Sequence, residues 1–428
     1  MIKDYKLEQL IDPLLEWFAG NARVLPWRSE PTPYRVWVSE IMLQQTRVEA
    51  VKPYFQRFIK ALPDVQALAD CPEDKLLKLW EGLGYYNRVR NMQKAAIQVR
   101  EEYDGMIPAD YEALLKLKGI GHYTAGAIAS IAYGIPVPAV DGNVLRVLTR
   151  VTADDTDIMK QSFRTEVEEA LTRVMQQESE NGQNKMTGGQ KNLAGAFNQA
   201  LMELGATVCL PNGAPLCEKC PWQEVCRARQ EDLIDQLPVK SKAKARKIEK
   251  RTVLIIRDDD KVAIRKRPAR GLLAGLYELP NVEGELSAEQ ALSLVKEMHF
   301  VPIRIQELTE AKHIFSHIEW HMKGYAIRVE ESGLSETARL ADETVSDENP
   351  QSENESANAN MMQTGQSKIP ELIFVDAEDA RERYAIPSAF AAYAEYMNIQ
   401  LGKERFSVTV QNSPMHLLHS TPTGVSAV

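Results

Sequence analysis

The 428-residue chain carries 51 basic and 60 acidic side chains, a formal net charge of −9. Its 44% hydrophobic and 26% charged content excludes a fibrous, collagen-like or wholly disordered chain, and its length predicts two or three domains. Summed over the chain, the negative balance also argues against a nucleic-acid partner, because binding phosphates needs clustered positive charge.

The N-terminus, MIKDYKLEQLIDPLLEWF, mixes acidic with apolar residues and shows no small-residue cleavage site, so no signal peptide is expected. Residues 1–233 read as helical, with apolar residues at helical spacing over 7–18, 36–51, 87–99, 124–133, 144–151 and 193–204. Gly20, Pro63, Pro72, Gly105 and Pro108 punctuate the intervals. The uncharged run 119–140 is nominally long enough to span a bilayer, but Pro136, Pro138, His122 and its alanines favour a buried helix followed by a turn. The polar stretch QESENGQNKMTGGQK at 177–191 reads as a surface loop. Five cysteines do not make a disulfide framework, so the expected location is the cytoplasm, with no membrane contact.

Residues 239–251, VKSKAKARKIEKR, hold seven basic side chains against one acidic and read as a linker or a DNA-facing strap. The period then changes. RTVLIIR and KVAIRKR on either side of the turn DDDK predict a hairpin, further strands are expected at IRIQEL, HIFSHIEW and KGYAIRVE, and a helix at 288–298. Within this α+β region, 333–367 is acidic, rich in Ser and Asn, and too poor in apolar groups to offset ordering entropy, so disorder is expected there and in the tail.

Cys209, Cys217, Cys220 and Cys226 fall within 18 residues, separated by seven, two and five. Four thiolates so close can ligate one metal centre, and a C-x₂-C pair supplies two ligands from one turn. Zinc sites more often show two such pairs; the single pair leans towards an iron–sulfur cluster. Cys71 is expected to pack as an ordinary small residue.

In LKGIGHYTAGAIA (117–129), Gly119 and Gly121 precede an alanine-rich helical segment, so the turn can leave N–H groups free for an oxyanion. In VPAVDGNVLRVLTR (137–150), Asp141 sits at an expected helix N-cap. These two segments followed by the four-cysteine loop resemble the helix–hairpin–helix DNA glycosylases of the endonuclease III type. The resemblance implies a [4Fe–4S] cluster at Cys209, Cys217, Cys220 and Cys226, although the first gap is one residue longer than the family's.

Two positions select a subclass. Bifunctional members carry a lysine just after the hairpin, where this chain has Tyr123, so a Schiff-base mechanism through that amine is excluded. WVSEIMLQQT within 37–46, GLGYYNR (82–88) and FSH (315–317) resemble the adenine DNA glycosylases of the MutY type. That resemblance implies that Glu40 protonates the adenine ring and Asp141 stabilises the sugar cation, with Tyr123 and Asn143 in support. It also implies DNA contacts by Arg28, Gln45, Thr46, Tyr85, Gly119 and Gly121. Independently, releasing a purine from deoxyribose needs a proton donor and a stabiliser of an oxocarbenium-like cation, which suits one protonated and one ionised carboxyl. Glu40 among Val36, Ile41, Met42 and Leu43 would have a raised pKa, as a proton donor requires. The Tyr85–Tyr86 pair is open to two readings, a duplex wedge or core packing.

GLLAGLYELP (271–280) is similar to the start of a Nudix hydrolase motif, but the paired glutamates of its second half do not follow, so a binding module is expected in place of a pyrophosphatase. The resemblance implies that Phe315, Ser316 and His317 read 8-oxoguanine, although a strand alternating Ile314, Ser316 and Ile318 fits the same residues. The expected architecture is therefore multi-domain. It has an all-α helix–hairpin–helix domain with its iron–sulfur loop (1–233), a basic linker (234–250), an α+β Nudix-like domain (251–398) and a loose tail (399–428). The expected activity is monofunctional adenine glycosylase action, by a monomer, on double-stranded DNA with adenine opposite 8-oxoguanine or guanine. A thymine-mismatch glycosylase of the same superfamily and a non-enzymatic DNA-damage-binding protein are the rivals. The charge argument changes with position: 331–368 holds eight acids and two bases, and the net charge outside it is small.

Overall fold

The computed structural model describes residues 2–182, 192–241, 245–330 and 371–398. The expected disordered insert at 333–367 and tail at 399–428 lie outside these residues. The chain divides into two compact units, Met1–Lys244 and Ala245–Val428.

The first unit is helical. In chain order its helices are α1 (Ile11–Asn21), α2 (Pro33–Leu43), α3 (Val48–Ala61), α4 (Val65–Ala69), α5 (Glu73–Leu79), α6 (Asn87–Glu102) and α7 (Tyr111–Lys116). They continue with α8 (His122–Tyr133), α9 (Gly142–Thr152), α10 (Gln161–Gly182), α11 (Leu193–Thr207) and α12 (Arg227–Gln230). Two expectations are corrected. The apolar run 36–51 is not one helix but α2 and α3, broken at 44–47, where Gln45 takes a left-handed φ of 57°. Residues 177–182, expected in a loop, complete the last turns of α10; the rest of that stretch to 191 lies outside the described residues.

Caps place the helices that matter. Thr32 caps α2 through a bond from Arg35 N, with Pro33 in the first turn, where a missing N–H does no harm. Asp110 caps α7 in the same way. Between α7 and α8 the chain makes the expected hairpin. Gly119 has φ +80° and a Cβ there would come within 2.7 Å of Asn91 Cβ, so both conformation and space demand glycine. Gly121 is different: it is extended, open to solvent and the N-cap of α8, so the tight turn rests on Gly119 alone. Gly126, inside α8, lets the carbonyl of Pro138 lie directly against the helix. Asn198 of α11 fixes the same passing segment, accepting from Ala139 N at 3.0 Å and donating to Val137 O at 2.9 Å. Residues 137–140 are thus held from two sides just before Asp141.

The second unit is a seven-stranded mixed sheet in the order β3-β2-β1-β6-β5. Its strands are β1 (Lys247–Asp258), β2 (Lys261–Lys266), β3 (Tyr277–Glu278), β4 (Asn281–Glu283), β5 (Pro302–Ile314), β6 (Ile318–Val329) and β7 (Ile373–Asp376). β4 pairs with β1, β7 with β2, and β1 runs parallel to β6 while its pairings with β2 and β4 are antiparallel. β1 begins at Lys247, inside the stretch expected to be linker. Alternation divides the core between the two faces. One face buries Val253, Ile255, Trp320 and Met322 against Phe390 and Tyr393; the other buries Leu254, Ile256, Tyr325 and Ile327 against α13 (Ala288–Glu297). A helix α14 (Ala377–Arg383) follows β7.

Candidate active site

α2 packs on α8, and α11 packs on both α8 and α9. Between these helices lies a cavity of about 550 Å³. It gathers seven of the expected site residues: Arg28, Glu40, Gln45, Thr46, Tyr123, Asp141 and Asn143. Tyr85, Gly119 and Gly121 lie outside its lining, as do the cysteines.

Glu40 is only 5% exposed. Its Oε2 accepts a 2.6 Å hydrogen bond from the Tyr123 hydroxyl. Burial pushes its carboxyl up to about 7; the Tyr123 bond and Arg28 pull the other way, and the charge of Asp141 adds to the rise. Burial, with Glu40 and Asp141 nearby, likewise drives the Tyr123 phenol well above its ordinary value, so it is a hydrogen-bond donor at neutral pH. Asp141 is the N-cap of α9 as expected. One carboxylate oxygen accepts from Asn143 N at 2.9 Å and Val144 N at 2.8 Å, and the other accepts from the Asn143 side chain at 2.8 Å. Both carboxylate oxygens thus face N–H donors at the start of α9. The two acids therefore occupy opposite environments, one dry and one among donors.

Three contributors were not legible in the sequence. Glu203 of α11 is buried and holds Arg23 at 2.5 Å and Arg28 at 2.9 Å; burial opposes its ionisation, but the two guanidiniums outweigh that and keep its carboxyl below the usual range. The signal for it was an acid within the apolar run of α11. Arg146 donates to Asn143 Oδ1 at 2.9 Å, to Gly205 O at 2.7 Å and to Cys209 O at 2.9 Å, so it ties the Asp141 partner to the first cysteine. Arg88, one arginine among many in the sequence, bridges two loops described below.

Cys209, Cys217, Cys220 and Cys226 line one small cavity together with Arg150, Arg229 and Trp222. Leu216 N bonds Val208 O at 2.9 Å and closes the first gap, leaving 211–214 exposed. Arg150 lies 3.4 Å from Cys209 Sγ. Burial and the neighbouring cysteines push the Cys220 thiol up to about 12, although a backbone N–H pulls it down. Among the described residues, no group of three or more His, Cys, Asp or Glu side chains is arranged to hold a metal ion.

The Tyr pair divides: Tyr86 is buried, and Tyr85, in a left-handed conformation with φ 48°, is 48% exposed. Phe315–His317 form the turn between β5 and β6 and are not strand, with Phe315 N bonding Ile318 O at 2.8 Å. Phe315 stacks edge-on against His313 and Trp320, while Ser316 and His317 are exposed. The turn is clamped from the side by Arg246 to Phe315 O and by Lys247 N to His317 O. The Nudix-like glutamate Glu278 is buried and paired with Arg265, Arg267 and Asn281.

Among the described residues, no helix is long and apolar enough to cross a membrane. Residues 38–173 match the HhH-GPD superfamily of base excision DNA repair proteins, and residues 251–396 match the NUDIX domain. The chain is 36% identical over 380 residues to an adenine DNA glycosylase of Mus musculus, covering 75% of this chain and 71% of that one. It is 32% identical over 331 residues to the adenine DNA glycosylase of Buchnera aphidicola subsp. Acyrthosiphon pisum, covering 76% and 87%. A thermostable thymine-DNA glycosylase structure aligns with a TM-score of 0.45 at 24% identity, over 54% of this chain and all of that one. This chain belongs to the adenine DNA glycosylase family of the helix–hairpin–helix superfamily.

Proposed function

We propose that the protein is a monofunctional glycosylase that hydrolyses the N-glycosidic bond of adenine opposite 8-oxoguanine or guanine in double-stranded DNA. The observation that carries this is a buried carboxyl, Glu40, with its pKa near 7, hydrogen-bonded by Tyr123 and sharing one cavity with Asp141. Glu40 is the proton donor to the leaving adenine, and Asp141 stabilises the sugar cation until water adds. No lysine lines the cavity among the described residues, which fits hydrolysis without a Schiff base. Tyr123 orients Glu40, and Asn143 orients Asp141. Arg28 and Thr46 line the pocket that receives the flipped base, while Gln45 and Tyr85 enter the duplex it leaves. The hairpin at Gly119–Gly121 takes a backbone phosphate on its N–H groups.

Cys209, Cys217, Cys220 and Cys226 are the residues that would hold a [4Fe–4S] cluster: although their thiols are not gathered into a metal-holding group, all four are soft sulfur donors lining one cavity, and Arg150 beside Cys209 would offset the negative charge of bound thiolates. Held by these residues, a cluster would link Cys209, just after α11, to the loop carrying Cys217, Cys220 and Cys226. In the second unit, the exposed Ser316 and His317 hydrogen-bond the altered purine edge and Phe315 wedges beside it. The enzyme acts as a monomer in the cytoplasm, at the nucleoid.

The test is incubation with duplexes carrying different mispairs. Release of adenine opposite 8-oxoguanine and guanine is expected. Release of thymine or oxidised pyrimidines with adenine untouched would overturn the reading.

A further inference from the structure

Two exposed side chains sit on loops that the fold holds in an unfavourable backbone conformation. Gln45 has φ 57° and Tyr85 has φ 48°, and non-glycine residues in the left-handed region persist only where the surroundings over-determine them. One side chain bonds the surroundings of both. Arg88, in the first turn of α6, donates through Nη1 to the carbonyl of Gln44 at 2.7 Å, immediately before Gln45. Through Nη2 it donates to the carbonyl of Gly84 at 3.1 Å, immediately before Tyr85. The same guanidinium bonds Ile41 O at 2.6 Å and Met42 O at 3.3 Å at the C-terminal end of α2, and Leu83 O at 2.9 Å. A cation at a helix C-terminus also meets the negative end of the helix dipole.

The packing around Arg88 reinforces this. Its guanidinium lies 5.4 Å from the Trp80 ring centre and 5.6 Å from that of Tyr85, and Trp80 Nε1 bonds the same Gly84 carbonyl at 3.1 Å. Arg88 N bonds Tyr85 O at 2.8 Å. Five carbonyls, two from the end of α2 and three from the two loops, thus converge on one planar fork.

We propose that Arg88 is a positioning residue that locks the 43–46 and 82–86 loops into a single wedge, so that Gln45 and Tyr85 enter the duplex as one rigid unit. This rests on the reading above that both residues penetrate DNA. Because the bonds to Ile41 and Met42 follow directly on Glu40, the wedge and the proton donor are also held in a fixed relation. A lysine cannot substitute, since an ammonium is a point charge and cannot span both carbonyl sets as a planar fork does.

The experiment is a double-mutant cycle in the full-length protein. Gln45→Ala, Tyr85→Ala and the double variant are made with Arg88 and with Arg88→Lys. Two readouts are taken on duplexes with adenine opposite 8-oxoguanine: single-turnover adenine release, and fluorescence of a 2-aminopurine beside the target, which reports unstacking. With Arg88 present, the double variant should unstack and react on the order of tenfold better than the product of the single effects, the non-additivity of residues that share a partner. With Arg88→Lys the two substitutions should become additive and the unstacking amplitude should fall, in protein shown to be folded by circular dichroism. Additive effects with Arg88 present, or coupling unchanged by Arg88→Lys, would overturn the proposal. If Arg88→Lys does not fold, the cycle with Arg88 decides alone by the same criterion. A wild-type protein that unstacks the duplex but releases no adenine would refute the glycosylase reading and leave the wedge standing.

Discussion

The Tyr123 hydroxyl and Glu40 Oε2 are 2.6 Å apart, joining the first turn of α8 to the last turn of α2. The bond works against burial: burial raises the Glu40 pKa and the phenol lowers it. Tyr123→Phe removes the lowering influence, so the pKa of Glu40 rises further. The alkaline limb of the pH–rate profile for adenine release should move to higher pH, while the rate below the limb falls through lost orientation. Single-turnover kinetics across pH 5–9 checks this, and a limb that moves to lower pH contradicts it.

Glu40→Gln should abolish the proton donor and slow base release by about 10²–10⁴. It also changes stability in a defined direction. The native carboxyl holds its proton up to about 7, whereas its ordinary value is 4.5, so wild-type stability falls as pH rises through that window and stays lower above it. The amide has no such loss. Glu40→Gln should be more stable than wild type at pH 8, by on the order of 3 kcal/mol, and equal to it at pH 4, as denaturant titrations at the two pH values would show.

Cys220→Ser should remove a cluster ligand. The purified wild-type protein is expected to be brown and to contain iron and acid-labile sulfide, and the variant to lose both and to unfold at lower temperature. Stoichiometric zinc in a colourless wild-type protein would refute the cluster assignment.

Glu278 neutralises Arg265 at 2.9 Å and also pairs with Arg267, in the buried remnant of a Nudix motif. Glu278→Ala leaves two guanidiniums without their counter-charge and should destabilise the second unit by about 3–5 kcal/mol. Thermal unfolding monitored in that unit would measure it. Pyrophosphohydrolase activity should be absent in both proteins, because this carboxylate is committed to the arginines in the wild type and missing in the variant.

Ser316→Ala and His317→Ala, at the exposed turn between β5 and β6, should narrow the difference in adenine-release rate between 8-oxoguanine and guanine partners. The rate opposite guanine should change least. Equal losses on both substrates would mean that the turn does not read the lesion.

Much of the site was legible because its chemistry is local. Asp141 followed by Gly142, Asn143 and Val144 marks an N-cap, and its bonds to Asn143 N and Val144 N are made within one turn. Gly119 announces a tight turn, and an acid within the apolar α2 announces a raised pKa. The break between α2 and α3 was not legible, because Gln45 has no intrinsic preference for the left-handed region; a distant arginine holds the carbonyl before it.

The sequence by itself determined the helical and α+β halves, the hairpin before α8, the capping of α9 and the presence of four adjacent thiols, since each depends on spacing, caps and turns within a few residues. It also showed why the charge of −9 says little about a DNA partner: 331–368, with eight acids and two bases, is net acidic, whereas 239–251, with seven bases and one acid, is net basic. Tertiary structure alone decided that Tyr85 is exposed and Tyr86 buried, that Glu40 meets Tyr123 from another helix, and that Glu203, Arg146 and Arg88 bond Arg28, Asn143 and the Gln44 carbonyl. Those outcomes depend on which side chains from separate elements share a low-dielectric interior, where an unpaired polar group is costly and each pairing is therefore specific.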